Sequence, residues 1–461
     1  MQAVRLDVTS LNTLRDGFRG RLVLPGDEDY DRARAVWNAI ADRHPAVVAR
    51  CAAVADVIAA LRFAREHGLP IAVRGGGHSV AGFSTCDAGM LIDLYGMRRL
   101  RVDPKARTAW VEGGALLEQL DQEAQAFGLA CPVGVIGHTG VAGLTLGGGM
   151  GRMQRMHGFT IDNLISIDVV TANGEQVHAS DDEHPELFWG LRGAGANFGI
   201  ATAFVFRLHR VGPMVTQGTV LFPASRAREA AALYREVARA APRRMSVTLN
   251  VFKATAEPPF GSEMAGEPII ALGSTHFGAE DEAETDLHRL RHELEPLVDT
   301  FGVKNYVSVQ KMSDEAMAWG KRFYMKGGFM ADLPDEAIDR AVRQIAQSPG
   351  GELTLWAQGG AIADFPEDGS AFAGRHAAFW LGIESAWLDP ARDGANIAWG
   401  RETMSALKPF TVAGQYVNDV VESGEDVVRG IYGNAKYERL LALKRTYDPQ
   451  NVFRLNQNIR P

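Results

Sequence analysis

Arg74-Gly75-Gly76-Gly77-His78-Ser79 follows the short apolar run Leu69-Pro70-Ile71-Ala72-Val73, and the reading of the chain turns on that junction. Glycine has no Cβ, takes φ > 0 without steric cost and lets a ligand lie against the main chain. Three in a row after a strand suit a flat or anionic object, with His78 as the nucleophile facing it. For the hexapeptide alone, a tight turn followed by a surface histidine is the alternative.

The chain around it has 461 residues, enough for two or three domains of roughly 100–200 residues each. Its 46% hydrophobic and 23% charged content is that of a globular protein. Fifty glycines in 461 residues exceed the usual share of about 7%. They cluster in 74–82, 113–114, 134–151 and 190–199, which marks built loops and not diffuse flexibility.

A net charge of −8 gives no ground for a nucleic-acid or membrane-surface partner. No run approaches the ~18 apolar residues that span a bilayer. Met1 to Gly20 mixes Arg5, Asp7, Arg15, Asp16 and Arg19 with scattered apolar residues and lacks the apolar core of a secretory signal. Cys51, Cys86 and Cys131 are odd in number and widely spaced. Neither a disulfide framework nor a Cys-x-x-Cys metal site is expected, and a cytoplasmic location follows.

Residues 53–67 carry apolar side chains at helical spacing, with Gly68 as the stop and Pro70 beyond it. Strands are expected at 69–73, 90–94, 108–111, 165–171 and 202–209, with a helix over 115–127 and a hairpin turn at Asn173-Gly174. The pattern changes near Gly212-Pro213. From there to about 410, helices such as 225–240 and 280–295 alternate with strands such as 245–252, 268–272 and 352–358. This reads as a second domain, an antiparallel sheet with helices on one face. A helix over 434–445 and an amide-rich tail, Asn456-Gln457-Asn458, close the chain, and such a tail should be pinned.

A second glycine segment runs from Gly137-His138-Thr139-Gly140 through Gly147-Gly148-Gly149 to Gly151. Small residues let backbone N–H groups point at an anion. No Gly-x-x-x-x-Gly-Lys-Ser/Thr occurs, and no cluster fits Gly-x-Gly-x-x-Gly, because Phe198 stands where the third glycine belongs. Two separate loops suit a long ligand with a diphosphate and a flat ring; two unrelated structural loops are the alternative. His288 and His292 stand at i, i+4, but Asp286, Arg289, Arg291 and Glu293 around them describe a solvated face, so no metal site is expected. No Gly-x-Ser-x-Gly elbow supports a hydrolase. Glu352, Thr354, Trp356 and Gln358 alternate, so one face of their strand is polar and aromatic, either an exposed sheet face or a pocket wall. Tyr416 is expected to lead into an edge strand, with Asn418 on its face.

Arg74–Ser79, His138–Gly151, Asp162-Asn163-Leu164, Asn197-Phe198-Gly199-Ile200, Tyr416-Val417-Asn418 and the stretch from Tyr447 to Ile459 resemble one family in the same order. It is the berberine-bridge-enzyme-like branch of the vanillyl-alcohol-oxidase superfamily of FAD proteins. The resemblance implies an α+β fold: a PCMH-type FAD-binding domain of two α/β subdomains, with an inserted substrate domain built on an antiparallel sheet covered by helices. Residues 1–211 and the returning segment 412–461 would hold FAD, and 212–411 would form the substrate domain. The implied activity is an FAD-dependent oxidase that takes hydride from an alcohol-type carbon of a small molecule and returns electrons to O₂. A flavin dehydrogenase with another acceptor and a flavin-binding protein without turnover are the alternatives.

By the same resemblance, FAD would lie on Arg74, Gly75, Gly76, Gly77, His78, Ser79 and Gly82 of the first loop. The second loop would supply His138, Thr139, Gly140, Val141, Gly143, Leu144, Gly147, Gly148 and Gly149. Gly199, Ile200, Tyr416, Asn418, Asn456 and Gln457 would complete the site. His78, neutral near pH 7 with an ordinary pKa of about 6.5, would attack the electrophilic 8α carbon of the flavin and tether it. The cysteine that forms a second tether in many members should fall at Ile136, so a single attachment is expected. Tyr416 would be the base, and Glu352, Trp356 and Gln358 the pocket wall. Asp419 stands where an aromatic residue is common. Thr354 stands where a bacterial member that oxidises a polyketide chain carries glutamate.

Overall fold

The computed structural model describes residues 8–461. Residues 1–7, the start of the expected first domain, lie outside the described residues.

Three larger sheets among the described residues organise the fold, beside a two-stranded pair of His209–Arg210 with Leu129–Ala130. In the first, strands Arg21–Val23, Val47–Arg50, Met90–Asp93 and Ile71–Arg74 lie side by side in that order. The last three run parallel, and their side chains are almost all buried, as parallel strands covered on both faces require. Helix Val54–Glu66 packs Val57, Ala60, Leu61 and Ala64 against this sheet, the i, i+3, i+4, i+7 stripe of an amphipathic helix. The second sheet is antiparallel, in the order Leu100–Asp103, Thr108–Glu112, Ile200–Arg207, Leu164–Val170, Gln176–Ser180. Its last pair is the hairpin expected at Asn173-Gly174.

The third sheet runs Val298–Asp299, Met214–Pro223, Pro268–His276, Met245–Lys253, Gly351–Ala357, Phe379–Trp387, Arg322–Met330, Thr411–Val412, with Gly302–Asn305 also on Met214–Pro223. Helices Ala227–Ala240, Glu280–His292, Asp335–Ala346 and Asp393–Leu407 cover one face. Leu353, Leu355, Ala357, Leu381 and Ile383 point into that covered core. Trp356, Trp380 and Phe329 pack instead with the core that holds the second glycine segment. The sheet therefore stands with its uncovered face against the glycine loops.

The chain then returns through helix Glu425–Tyr447, longer than expected and broken at Gly433, where φ is 72°. One buried charge fixes this return. Lys444 Nζ donates to Asp448 at 2.7 Å, to the Asn197 carbonyl at 2.9 Å and to the Phe453 carbonyl at 2.8 Å. A second buried charge lies elsewhere: Arg375 pairs bidentately with Asp162 at 2.6 and 2.9 Å. A buried charge is tolerated only when so paired. The expected edge strand after Tyr416 is absent: Val417–Asp419 is a 3-10 turn. There Asn418 Nδ2 donates to the Tyr416 hydroxyl at 2.8 Å and to the Leu144 carbonyl at 3.1 Å, a side-chain alternative to strand pairing.

Candidate active site

The two glycine loops meet back to back. A Cβ on Gly76 would lie 2.2 Å from the Gly140 nitrogen, and one on Gly140 would lie 2.2 Å from that of Gly76. Only paired glycines allow this approach, which sets His78 beside His138 and Thr139. His78 stacks on Trp37 with centroids 4.6 Å apart and meets the edge of Trp319. Its Nε2 lies 2.7 Å from His138 Nδ1, and its Nδ1 lies 3.4 Å from Thr139 Oγ1. Burial, reinforced by His138, pushes the His78 imidazole well below its ordinary pKa, so the ring is neutral.

The tautomer follows from one carbonyl. His138 Nε2 lies 3.3 Å from the Asp314 main-chain oxygen, which can only accept. In a neutral His138 the proton therefore sits on Nε2 and Nδ1 accepts. His78 Nε2 then carries the donated proton, which leaves the lone pair of His78 on Nδ1.

The other expected loop residues divide by what their side chains do. Arg74 is buried and occupied: it pairs with Asp93 at 2.6 and 3.0 Å and donates to the carbonyls of Ala33 and Ala35. Ser79 Oγ accepts from Phe83 N–H and closes the turn that holds Gly82. Val141 opens the short helix Val141–Leu146, and nothing lies within 4 Å of where a Gly143 Cβ would stand. Leu144 offers its carbonyl to Asn418, as above. A Cβ on Gly147 would strike the Asn418 amide at 2.1 Å, and one on Gly149 would strike Thr160 Oγ1 at 2.1 Å. Gly199 is pressed on Val169, and the Ile200 side chain is buried in the core beneath the first sheet. Asn456 Nδ2 donates to Ala196 O at 2.8 Å, and Gln457 Nε2 donates to Val420 O, so the amide tail is pinned.

Tyr416 joins the second loop to the sheet. Its hydroxyl oxygen accepts from Gly149 N–H at 3.2 Å, Met150 N–H at 3.4 Å and Asn418 Nδ2 at 2.8 Å. Burial and then the Asp419 charge push the phenol above its ordinary range, and the three donors pull it back in part. Glu352 accepts from Asn250 Nδ2 at 2.5 Å, and Asn250 also reaches Thr354 at 2.9 Å. Trp356 stands half-buried next along the same face. Gln358 falls past the end of the strand: its carbonyl accepts from Arg155, and its amide donates back to Trp356 O at 3.4 Å.

Glu384 on this face escaped the sequence reading, and Asp419, noted there only for its departure from an aromatic residue, packs against the face from the turn Val417–Asp419. Glu384 lies directly opposite Glu352 in the register of neighbouring strands. Burial, then Glu352 and Asp419, push its carboxyl up to about 8. Burial raises Asp419 to about 7, while the Trp380 indole N–H, donating at 3.1 Å, acts against it. Glu352 is raised by burial too. The alternation Trp380, Gly382, Glu384 was the available signal for this second strand; which residue it faces is fixed by register, which spacing along one strand does not carry. Asp314, which meets His138 through its carbonyl and Gly137 N–H through its carboxylate, left no signal.

The model of an FAD binding domain matches residues 45–180, and that of a berberine and berberine-like segment matches 415–460. An FAD-linked oxidoreductase of Dictyostelium discoideum is 31% identical over 98% of this chain and 97% of its own. The (R)-6-hydroxynicotine oxidase of Paenarthrobacter nicotinovorans is 30% identical over 96% of this chain and 97% of its own. Among solved structures, 6-hydroxy-D-nicotine oxidase from Arthrobacter nicotinovorans superposes with a TM-score of 0.85 at 26% identity, covering 96% of this chain and 98% of that one. Physcomitrella patens BBE-like 1 shares the fold at a TM-score of 0.87 and 22% identity, with 98% of this chain and 99% of that one covered. The chain belongs to the berberine-bridge-enzyme-like family of FAD-linked oxidoreductases, and it is an enzyme.

FAD is the group this family implies, and the residues present fit it. Buried polar atoms without a hydrogen-bond partner among the described residues sit beside or on three of the expected segments: Ser84 Oγ after the first loop, Thr145 Oγ1 in the second, Asn456 Oδ1 and Asn458 Oδ1 in the tail. Such orphans call for a ligand rich in donors and acceptors. No helix among the described residues is long and apolar enough to cross a membrane.

Proposed function

We propose that the protein is an FAD-dependent oxidase with flavin bound covalently through His78 alone, which removes hydride from an alcohol-type carbon of a small organic substrate and returns the electrons to O₂. Residues 1–211 with 412–461 form the FAD-binding domain, and 212–411 form the substrate domain. The observation that carries this reading is the meeting of the two glycine loops at a neutral His78 whose lone pair is on Nδ1. FAD, when bound, supplies the hydride acceptor.

The chain's own residues supply the rest. The loop glycines admit the cofactor to the backbone, and the orphaned side chains of the second loop and tail satisfy its polar atoms. Arg74 acts by holding its strand end to Asp93, so the turn keeps its shape. Ile136 has no nucleophile, and Cys131 is buried with its thiol pushed up by burial, which supports a single tether. Tyr416 accepts the substrate proton: three N–H donors on its phenolic oxygen favour the ionised form, although burial and Asp419 leave the net shift upward. Glu352, Glu384, Asp419 and Trp356 line the substrate side, and the carboxyls orient the reacting carbon by hydrogen bonds. Three free, buried cysteines agree with a reducing, cytoplasmic setting.

The test has two stages. Flavin absorbance should remain with the protein after acid precipitation. Anaerobic mixing with a panel of alcohols, sugars and alkaloids should then bleach the flavin band for one class, with colour returning in air. Bleaching without return in air supports the dehydrogenase, and failure to bind FAD overturns the reading.

A further inference from the structure

His78 is not held by the first loop alone. The segment after helix Tyr306–Gln310 crosses over it, anchored where Tyr306 and Gln310 donate to the buried Asp121 at 3.2 and 3.4 Å and Lys311 pairs with Glu118 at 2.7 Å. From this segment the Asp314 carbonyl meets His138 Nε2, and the Asp314 carboxylate accepts Gly137 N–H at 2.6 Å. The Met317 carbonyl accepts the Trp37 indole N–H at 2.6 Å, and Trp319 meets the His78 edge. Both rings flanking His78, His138 on its Nε2 and Trp37 on its face, are thus fixed by the same segment.

We propose that His138, with its tautomer set by the Asp314 carbonyl, is the positioning residue that makes His78 Nδ1 the attacking atom in flavin attachment and takes the proton that attachment releases from Nε2. The inference rests on the covalent link proposed above. The bond formed joins His78 Nδ1 to the 8α carbon, and the bond broken is one 8α C–H. Alkylation at Nδ1 would leave a cation on a ring that already bears an Nε2 proton. At 2.7 Å, His138 Nδ1 receives that proton, and the resulting imidazolium keeps Nε2–H on the Asp314 carbonyl. Two electrons enter the flavin ring system. O₂ removes them with the proton lost from 8α and the one taken by His138, leaving H₂O₂, so atoms and charge balance.

The experiment compares wild type, His138→Ala and His138→Gln as full-length chains. It measures total bound FAD and the fraction that stays with the protein after acid precipitation. Wild type should hold its flavin covalently. Both variants should bind FAD at similar stoichiometry with attachment slowed at least ~10²-fold, the low end for a lost proton acceptor. Imidazole added with FAD should restore attachment in His138→Ala and leave His138→Gln unchanged. Attachment at the wild-type rate in both variants overturns the inference. Failure of both to bind FAD also counts against it, since a positioning role leaves binding intact. Absence of covalent flavin from the wild type is a different result and removes the attachment reading itself.

Discussion

The two faces of the third sheet differ sharply in what they carry. On strands Gly351–Ala357 and Phe379–Trp387, one face carries Leu353, Leu355, Ala357, Leu381 and Ile383 under four helices. The other carries Glu352, Thr354, Trp356, Trp380, Gly382 and Glu384 toward the glycine loops. A sheet needs only one apolar face to fold on a helical layer, so the second is released from packing and can hold groups that would be costly in a core. Its carboxyls are pushed up for want of solvent and cations, a pattern concentrated at functional sites. On the proposed function, stability resides on one side of the sheet and chemistry on the other.

The largest expected effect tests the chemical side. Tyr416→Phe should slow flavin reduction by about 10²–10⁴-fold, far more than it affects FAD incorporation. Rapid-mixing absorbance under anaerobic conditions reads this, and equal reduction rates would remove Tyr416 as base. The faces can next be set against each other on neighbouring residues. Leu353→Ala should cost about 2–5 kcal/mol of stability, as lost core side chains do. Glu352→Gln should stay within about 1 kcal/mol in denaturant unfolding while impairing turnover. If Glu352→Gln destabilised as much as Leu353→Ala, the two faces would not divide the labour as described.

A smaller effect concerns pH. The ordinary glutamate value is 4.5, and Glu384 in the fold is pushed up to about 8. Between those values the folded FAD-free protein keeps a proton that the unfolded chain has released, so stability falls as pH rises from about 5 to 8. Unfolding curves across that range should show the decline, and Glu384→Gln should flatten it. An unchanged slope would show that Glu384 is not the group responsible. Smallest of all, Asp419→Asn removes a like charge from Tyr416 and should move the pH profile of flavin reduction downward.

The same contrast explains what the sequence disclosed. Glycine runs and period-two alternation are local, so both loops, the antiparallel substrate-side sheet and the shared face of Glu352 and Trp356 were legible from spacing. The pairing of Glu384 with Glu352 depends on register between separate strands, and the role of Asp314 runs through a carbonyl that any residue would supply. The expected strand after Tyr416 gave way to a turn because Asn418 bonds the Tyr416 hydroxyl and the Leu144 carbonyl. Gln358 followed the alternation on paper, but the strand ends at Ala357 and Gly359-Gly360, both with positive φ, redirect the chain. Arg74 read as a ligand contact because it adjoins the glycines; its partner Asp93 lies on the neighbouring strand.

The most direct test of the account is the position of the flavin. Trypsin should release His78 within peptide 75–98 and Cys131 within peptide 108–152. After denaturation in acid, flavin mass should appear on the first peptide, localised to His78, and not on the second. Flavin on Cys131, or flavin recovered entirely as free FAD in the supernatant, would contradict it.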